Sequence, residues 1–130
     1  MFVERPFTVV MAMLFCSDPF KPTVSHPLNR FGGNMGPYAD AMLELKSVEY
    51  INASPIDNLG AGTPFVATMC PKRETFAHFW SMVWELGSRV IVNLTHERDR
   101  VGSGPYDKRE RCACSPPNDE FRQHLFCAVL

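Results

Sequence analysis

An α/β layer architecture is what this sequence predicts, and three consecutive segments predict it. "TPFVATMC" (Thr63–Cys70) is short and apolar and is stopped by Pro71, as a buried strand is. "FAHFWSMVWEL" (Phe76–Leu86) places Phe76, Phe79, Trp80 and Val83 on one helical face, the spacing of a buried stripe. "RVIVNLT" (Arg89–Thr95) is a β-branched run of the central-strand type. Strand, helix and strand in that order lay a helix across a sheet.

The remaining elements follow in chain order. Residues 1–20 are expected to form a helix or partial helix. The run "FTVVMAMLFC" (Phe7–Cys16) is too short to span a bilayer. As a signal peptide it is poorly flanked, with Arg5 offset by Glu4 and no small-residue cleavage site. Pro19, Pro22 and Pro27 then interrupt regular structure, and Asn29–Asp40 is a glycine-rich loop. "AMLELKSVEYINAS" alternates well enough for strands at Met42–Leu45 and Val48–Ala53, with a turn at Pro55–Gly62. Thr75 is placed to cap the helix and Gly87 to end it. From His96 to Glu120 the chain is polar and broken by Gly102, Gly104, Pro105, Pro116 and Pro117. "EFRQHLFCAVL" has the composition of a further strand's beginning.

Composition excludes several function classes. The chain has 130 residues, 45% apolar and 21% charged, which suits one globular domain. A net charge of -1 gives no general attraction to nucleic acid, and the mixed cluster "DKRERC" reads as a solvated loop. Cys16, Cys70, Cys112, Cys114 and Cys127 match no zinc spacing and no compact disulfide framework, so no metal is expected. Reduced thiols and a cytoplasmic setting are expected. The sequons at Asn52 and Asn93 fall in segments expected to be ordered, where chance accounts for them.

Several segments together resemble the front half of a classical protein tyrosine phosphatase domain. "NRF" (Asn29, Arg30, Phe31) is similar to the family's Asn-Arg-Tyr recognition loop, and "PYADAMLEL" to the Pro-Tyr-Asp stretch after it. "EYINAS" (Glu49–Ser54) and "FVATMCP" (Phe65–Pro71) resemble two family strands. "TFAHFWSMVWE" (Thr75–Glu85) resembles its Thr-x-x-x-Phe-Trp-x-Met-Val-Trp-Glu helix, and "VIVNLT" the strand after that helix. Cys112 and Pro117 keep the spacing of the family's Lys-Cys-x-x-Tyr-Trp-Pro. The resemblance implies an incomplete tyrosine-phosphatase-like fold, a mixed central sheet with packed helices and the C-terminal half missing. It implies a segment 1–28 followed by a partial domain at 29–130. It also implies that Trp80 and Trp84 are both core residues.

Departures are plain. Phe31 stands for the family Tyr, Gly33 or Asn34 for an acidic residue that anchors the substrate backbone, and Ser115-Pro116 for Tyr-Trp. Family chemistry needs a thiolate nucleophile within His-Cys-x-x-x-x-x-Arg, and an Asp that protonates the leaving phenol. At the motif's distance from Cys16, Cys70, Cys112 and Cys114 stand Pro22, Phe76, Asn118 and Glu120, and no cysteine follows a histidine. No catalytic residue is therefore assigned, and no cofactor.

The resemblance assigns substrate binding to Asn29, Arg30, Phe31 and Asn34. Phe31 would stack on a phosphotyrosine ring, and Asn29 and Arg30 would hold the loop. Glu97 or Asp99 would take the place of the acidic partner of the phosphate-binding Arg. The expected partners are phosphotyrosine-containing proteins, with no nucleic acid and no membrane. The expected function is phosphotyrosine hydrolysis by family, with this chain inactive by itself. Two alternatives stand beside it: a non-catalytic phosphotyrosine or partner-binding module, and a small prenylated membrane-associated protein. The last rests on "CAVL", which fits prenylation of Cys127, although the family register makes that segment an internal strand. A half-domain is also expected to leave apolar edges such as Val90–Leu94 unpaired or uncovered.

Overall fold

The computed structural model describes residues 7–12, 20–29, 36–56, 62–94 and 118–119, and the backbone of a strand at 126–129. Its centre is a five-stranded mixed sheet. The strands are β1 (Thr8–Met11), β2 (Ala53–Ile56), β3 (Phe65–Thr68), β4 (Val90–Asn93) and β5 (Phe126–Val129), in the order β2-β3-β1-β4-β5. Only β2 runs antiparallel to its neighbour. A single α-helix among the described residues, α1 (Phe76–Glu85), connects β3 to β4.

The expected order of strand, helix and strand is present at β3, α1 and β4. Gly87 ends the helix with φ +60, the left-handed conformation that glycine tolerates best. Thr75 precedes α1, but its hydroxyl serves the 3₁₀ turn Arg73–Thr75 instead, accepting from Lys72 N–H at 2.9 Å.

Three expectations are corrected. The first concerns the N-terminal segment, which contributes a strand and no helix at Thr8–Met11. Thr8, Val9 and Val10 are β-branched, and Val9 and Met11 alternate into the core, so the short apolar run has period two where it counts. The second concerns Met42–Leu45 and Val48–Ala53, where the strand falls later, at Ala53–Ile56. Leu43 and Leu45 instead pack on the core from an irregular segment, held by Leu43 N–H donating to Ala53 O at 2.9 Å. β2 tolerates Pro55 because it is the outermost strand. The third concerns Val90–Leu94. β4 is interior, paired with β1 on one side and β5 on the other, so no strand edge is left open there.

Parallel register puts Val9, Val66 and Ile91 side by side on one face of the sheet. They form the core with Met11, Ala53 and the α1 residues Phe79, Trp80, Met82 and Val83. Phe79 and Trp80 meet edge to face, centroids 5.3 Å apart. Phe76 lies at the rim of this stripe, and Trp84 does not join it. Trp80 is 4% exposed and Trp84 60%. Trp84 is thus not a core residue of the described structure. At about 3.6 residues per turn Trp84 falls about 40° further round the helix than Trp80, away from Phe79 and Val83, while Leu86 beyond it still packs on the core.

Candidate functional site

The loop that begins at Asn29 is built from both ends. Residues on either side pair antiparallel: Thr23 bridges Tyr38, Val24 N–H donates to Pro37 O at 2.8 Å, and Ala39 N–H donates to Pro22 O at 3.0 Å. The prolines that break regular structure thus supply carbonyl acceptors where they cannot donate. A salt bridge from Lys21 to Asp40 (3.0 Å) lies just outside this pairing.

Asn29 is the hub, and its side chain is buried. Its Nδ2–H donates to Val24 O at 3.0 Å. Its Oδ1 accepts from the Tyr50 hydroxyl at 2.6 Å. Its backbone carbonyl accepts from Lys72 Nζ at 3.3 Å. A hydrophobic side chain could satisfy neither Val24 O nor the Tyr50 hydroxyl, and a buried amide is stable only when its own groups are paired. One face of the Tyr50 ring is covered. The His26 ring stacks on it with centroids 3.8 Å apart and planes at 13°. His26 Nδ1 accepts from Leu28 N–H at 3.1 Å. Burial pushes the Tyr50 phenol above its ordinary 10.0, so it stays a donor.

Gly36 closes the other side. A Cβ at this position would lie 1.7 Å from Val24 O and 2.9 Å from Asn29 Nδ2. Only glycine admits that approach of backbone to the Asn29–Val24 hydrogen bond. The result joins Asn29 to Gly36 through four separate stretches of chain, 22–29, 36–39, Tyr50 and Lys72. Chemically it can bind the two chain ends at Asn29 and Gly36 to each other.

Of the residues assigned from sequence, Asn29 is at this hub. Arg30, Phe31, Asn34, Glu97 and Asp99 lie outside the described residues. Cys127 has its backbone in β5, opposite Ile91. Sequence reasoning missed His26, Gly36, Tyr50 and Lys72 as partners. The glycine and "EYINAS" were visible, but contact between positions 21 and 43 residues apart has no local signature. Asn52 and Asn93, the two sequon asparagines, are both buried in this fold and inaccessible to a glycan.

A second polar joint supports the site from behind. Both Glu85 carboxylate oxygens accept backbone N–H groups, Lys46 at 2.6 Å and Ser47 at 2.8 Å. These bonds, that from Lys46 foremost, hold the carboxyl below its ordinary 4.5. The joint ties the segment leading to Tyr50 onto the C-terminal end of α1. Among the described residues no cluster of His, Cys, Asp and Glu could hold a metal ion, and no helix is long and apolar enough to cross a membrane.

Residues 26–120 match the family model described as protein-tyrosine phosphatase. The chain belongs to that family. It is 44% identical over 64 residues to human receptor-type tyrosine-protein phosphatase epsilon, an alignment covering 49% of this chain and 8% of that protein. It is 40% identical over 86 residues to the Lar-like tyrosine-protein phosphatase of Caenorhabditis elegans, covering 60% of this chain and 4% of the relative. The rat tyrosine-protein phosphatase non-receptor type 2 is 37% identical over 84 residues, covering 59% of this chain and 20% of the relative. The chain therefore spans a small part of each relative it matches. No solved structure matches it significantly.

Proposed function

We propose that these 130 residues form the phosphotyrosine-recognition portion of a tyrosine phosphatase domain and do not hydrolyse phosphotyrosine by themselves. The observation that carries this reading is the Asn29 hub. Its buried amide joins Val24 and Tyr50, and its backbone carbonyl takes Lys72; in this reading that anchorage serves Arg30 and Phe31, the next residues. An aromatic side chain presented at a fixed height is what selects a phosphotyrosine ring over a shorter phosphoserine. Asn34 completes the recognition residues in this reading, and Glu97 and Asp99 would lie beside the phosphate. The partners are phosphotyrosine-containing proteins. The lack of a His-Cys-x-x-x-x-x-Arg sequence supports the inactive half of the proposal, because no thiolate stands before a phosphate-gripping Arg.

The test is a paired measurement on the purified chain. Release of phosphate from a phosphotyrosyl peptide should stay at the uncatalysed rate. Binding of the same peptide should be detectable, should exceed that of its phosphoserine counterpart, and should be lost in Phe31→Ala. Turnover by the purified chain would overturn the first half. Binding that is indifferent to Phe31 would overturn the second.

A further inference from the structure

β1 is the middle strand of the sheet, yet it lies upstream of the residues that match the family, 26–120. Its neighbours β3 and β4 lie within them and do not pair with each other. α1 carries the chain from β3 to β4 across a gap one strand wide, and Thr8–Met11 fill it, parallel to both sides. Val9 sits between Val66 and Ile91, and Met11 between Thr68 and Asn93, so the buried face continues without a step. The ladder runs past the strand ends. Thr8 N–H donates to Pro64 O at 2.9 Å, Ala12 N–H to Thr68 O at 3.1 Å, and Leu94 N–H to Met11 O at 2.9 Å.

We infer that the gap between β3 and β4 is a strand-receptor site, and that Thr8–Met11 is the segment that occupies it in cis. Without an occupant the sheet divides into the pairs β2–β3 and β4–β5. Two-stranded pieces are marginal in water, and each would expose an inner edge of unpaired N–H and C=O groups. Among the described residues between β1 and β2 there is no further strand or helix. Of the described elements, none has to move when β1 leaves the gap. What the gap recognises is a short extended parallel segment: main-chain groups give affinity, and alternate apolar side chains of the size of Val9 and Met11 give register. Proline is excluded at the central position. Thr8 and Ala12 both donate toward β3, and by strand alternation Val10 N–H does the same.

Amide exchange on the intact chain tests the occupancy. Amides of Thr8–Ala12 should exchange as slowly as those of Phe65–Thr68 and Val90–Asn93. Fast exchange at 8–12 with β3 and β4 still protected overturns the inference. Receptor behaviour is tested by refolding the chain from denaturant with an excess of biotinylated peptide spanning Arg5–Leu14. The peptide should be retained on the refolded chain, with the chain's own Thr8–Ala12 amides becoming exposed, and its Val10→Pro version should not. Equal retention of both peptides, or no retention by a chain that regains protection at β3 and β4, overturns it.

Discussion

The Tyr50 hydroxyl donates to Asn29 Oδ1 across 2.6 Å, between two residues neither of which lies in a strand or helix. This one bond ties the start of the glycine-rich loop to the segment that enters β2. Both groups are buried, so water does not compete for either, and the bond is stronger for it. The loop root is thus a product of side-chain chemistry placed on a sheet, and each of its members can be tested by substitution.

Asn29→Ala removes partners from the Tyr50 hydroxyl and from Val24 O together. Each buried group left unsatisfied costs about 1–3 kcal/mol. The melting temperature should fall by several degrees, and phosphotyrosyl-peptide binding should weaken with it. Tyr50→Phe strands only Asn29 Oδ1, so its loss should be the smaller. Alkali provides an independent check. A phenol held above 10.0 in the folded chain binds its proton more tightly than in the unfolded chain. Its contribution is complete below that value and is lost as pH rises through the folded one. Tyr50→Phe should make that part of the alkaline stability profile flatter.

Gly36→Ala should be worse than its size suggests. The added methyl meets backbone, Val24 O at 1.7 Å, and backbone cannot swing aside as a flexible side chain can. Relief requires opening the pairing of Val24 with Pro37, and overpacking of this kind costs about 1–3 kcal/mol or more. Thermal denaturation measures it. Loss of peptide binding ahead of global unfolding would show that the loop root yields first.

What the sequence disclosed here followed the range of each interaction. β3, α1 and β4 were legible because period, capping and β-branching are local, and Gly87 marks its own turn. The family motifs were legible because residues of one motif are neighbours in the chain. β1 was not: "FTVVMAMLFC" is apolar throughout, and only the partners on either side decide between helix and strand. Trp84 was misplaced for a different reason. The stripe of Phe76, Phe79, Trp80 and Val83 leaves Trp84 about 40° further round the helix, and only the family resemblance had made it a core residue. The Asn29 hub was legible as a motif residue, and its partners His26, Tyr50 and Lys72 were not, since each is brought to it by the fold.

Glu85 should make the chain less stable in acid. Its carboxylate sits at the C-terminal end of α1, where the helix dipole disfavours negative charge, so its worth comes from the N–H groups of Lys46 and Ser47. A carboxyl lowered in the folded state binds fewer protons there than in the unfolded chain. Its contribution is therefore complete above the ordinary 4.5 and is lost as pH falls through the lower folded value. Glu85→Gln should flatten the stability profile over that acid window and leave the neutral and alkaline limbs parallel to those of the unsubstituted chain. Urea midpoints across the pH range decide it, and an unchanged acid limb would mean that the joint contributes nothing.

The two tryptophans should separate cleanly. Trp80 is buried among Phe79, Val83 and the sheet, with Phe79 edge-on to its ring. Trp80→Ala deletes a core aromatic and should cost about 3–5 kcal/mol, a large share of a domain's ordinary stability of about 5–15 kcal/mol. Trp84 is largely exposed, beside a groove lined by Lys46, Ser47, Ala77 and Ser81. Trp84→Ala should change stability by about 0.5 kcal/mol or less. Fluorescence gives the same division without unfolding: an aqueous quencher should reach the emission of Trp84 in the Trp80→Phe variant, and should scarcely reach that of Trp80 in Trp84→Phe. If quenching is equal in the two variants, the helix does not present its faces to the sheet as described, and the core assignment of α1 fails with it.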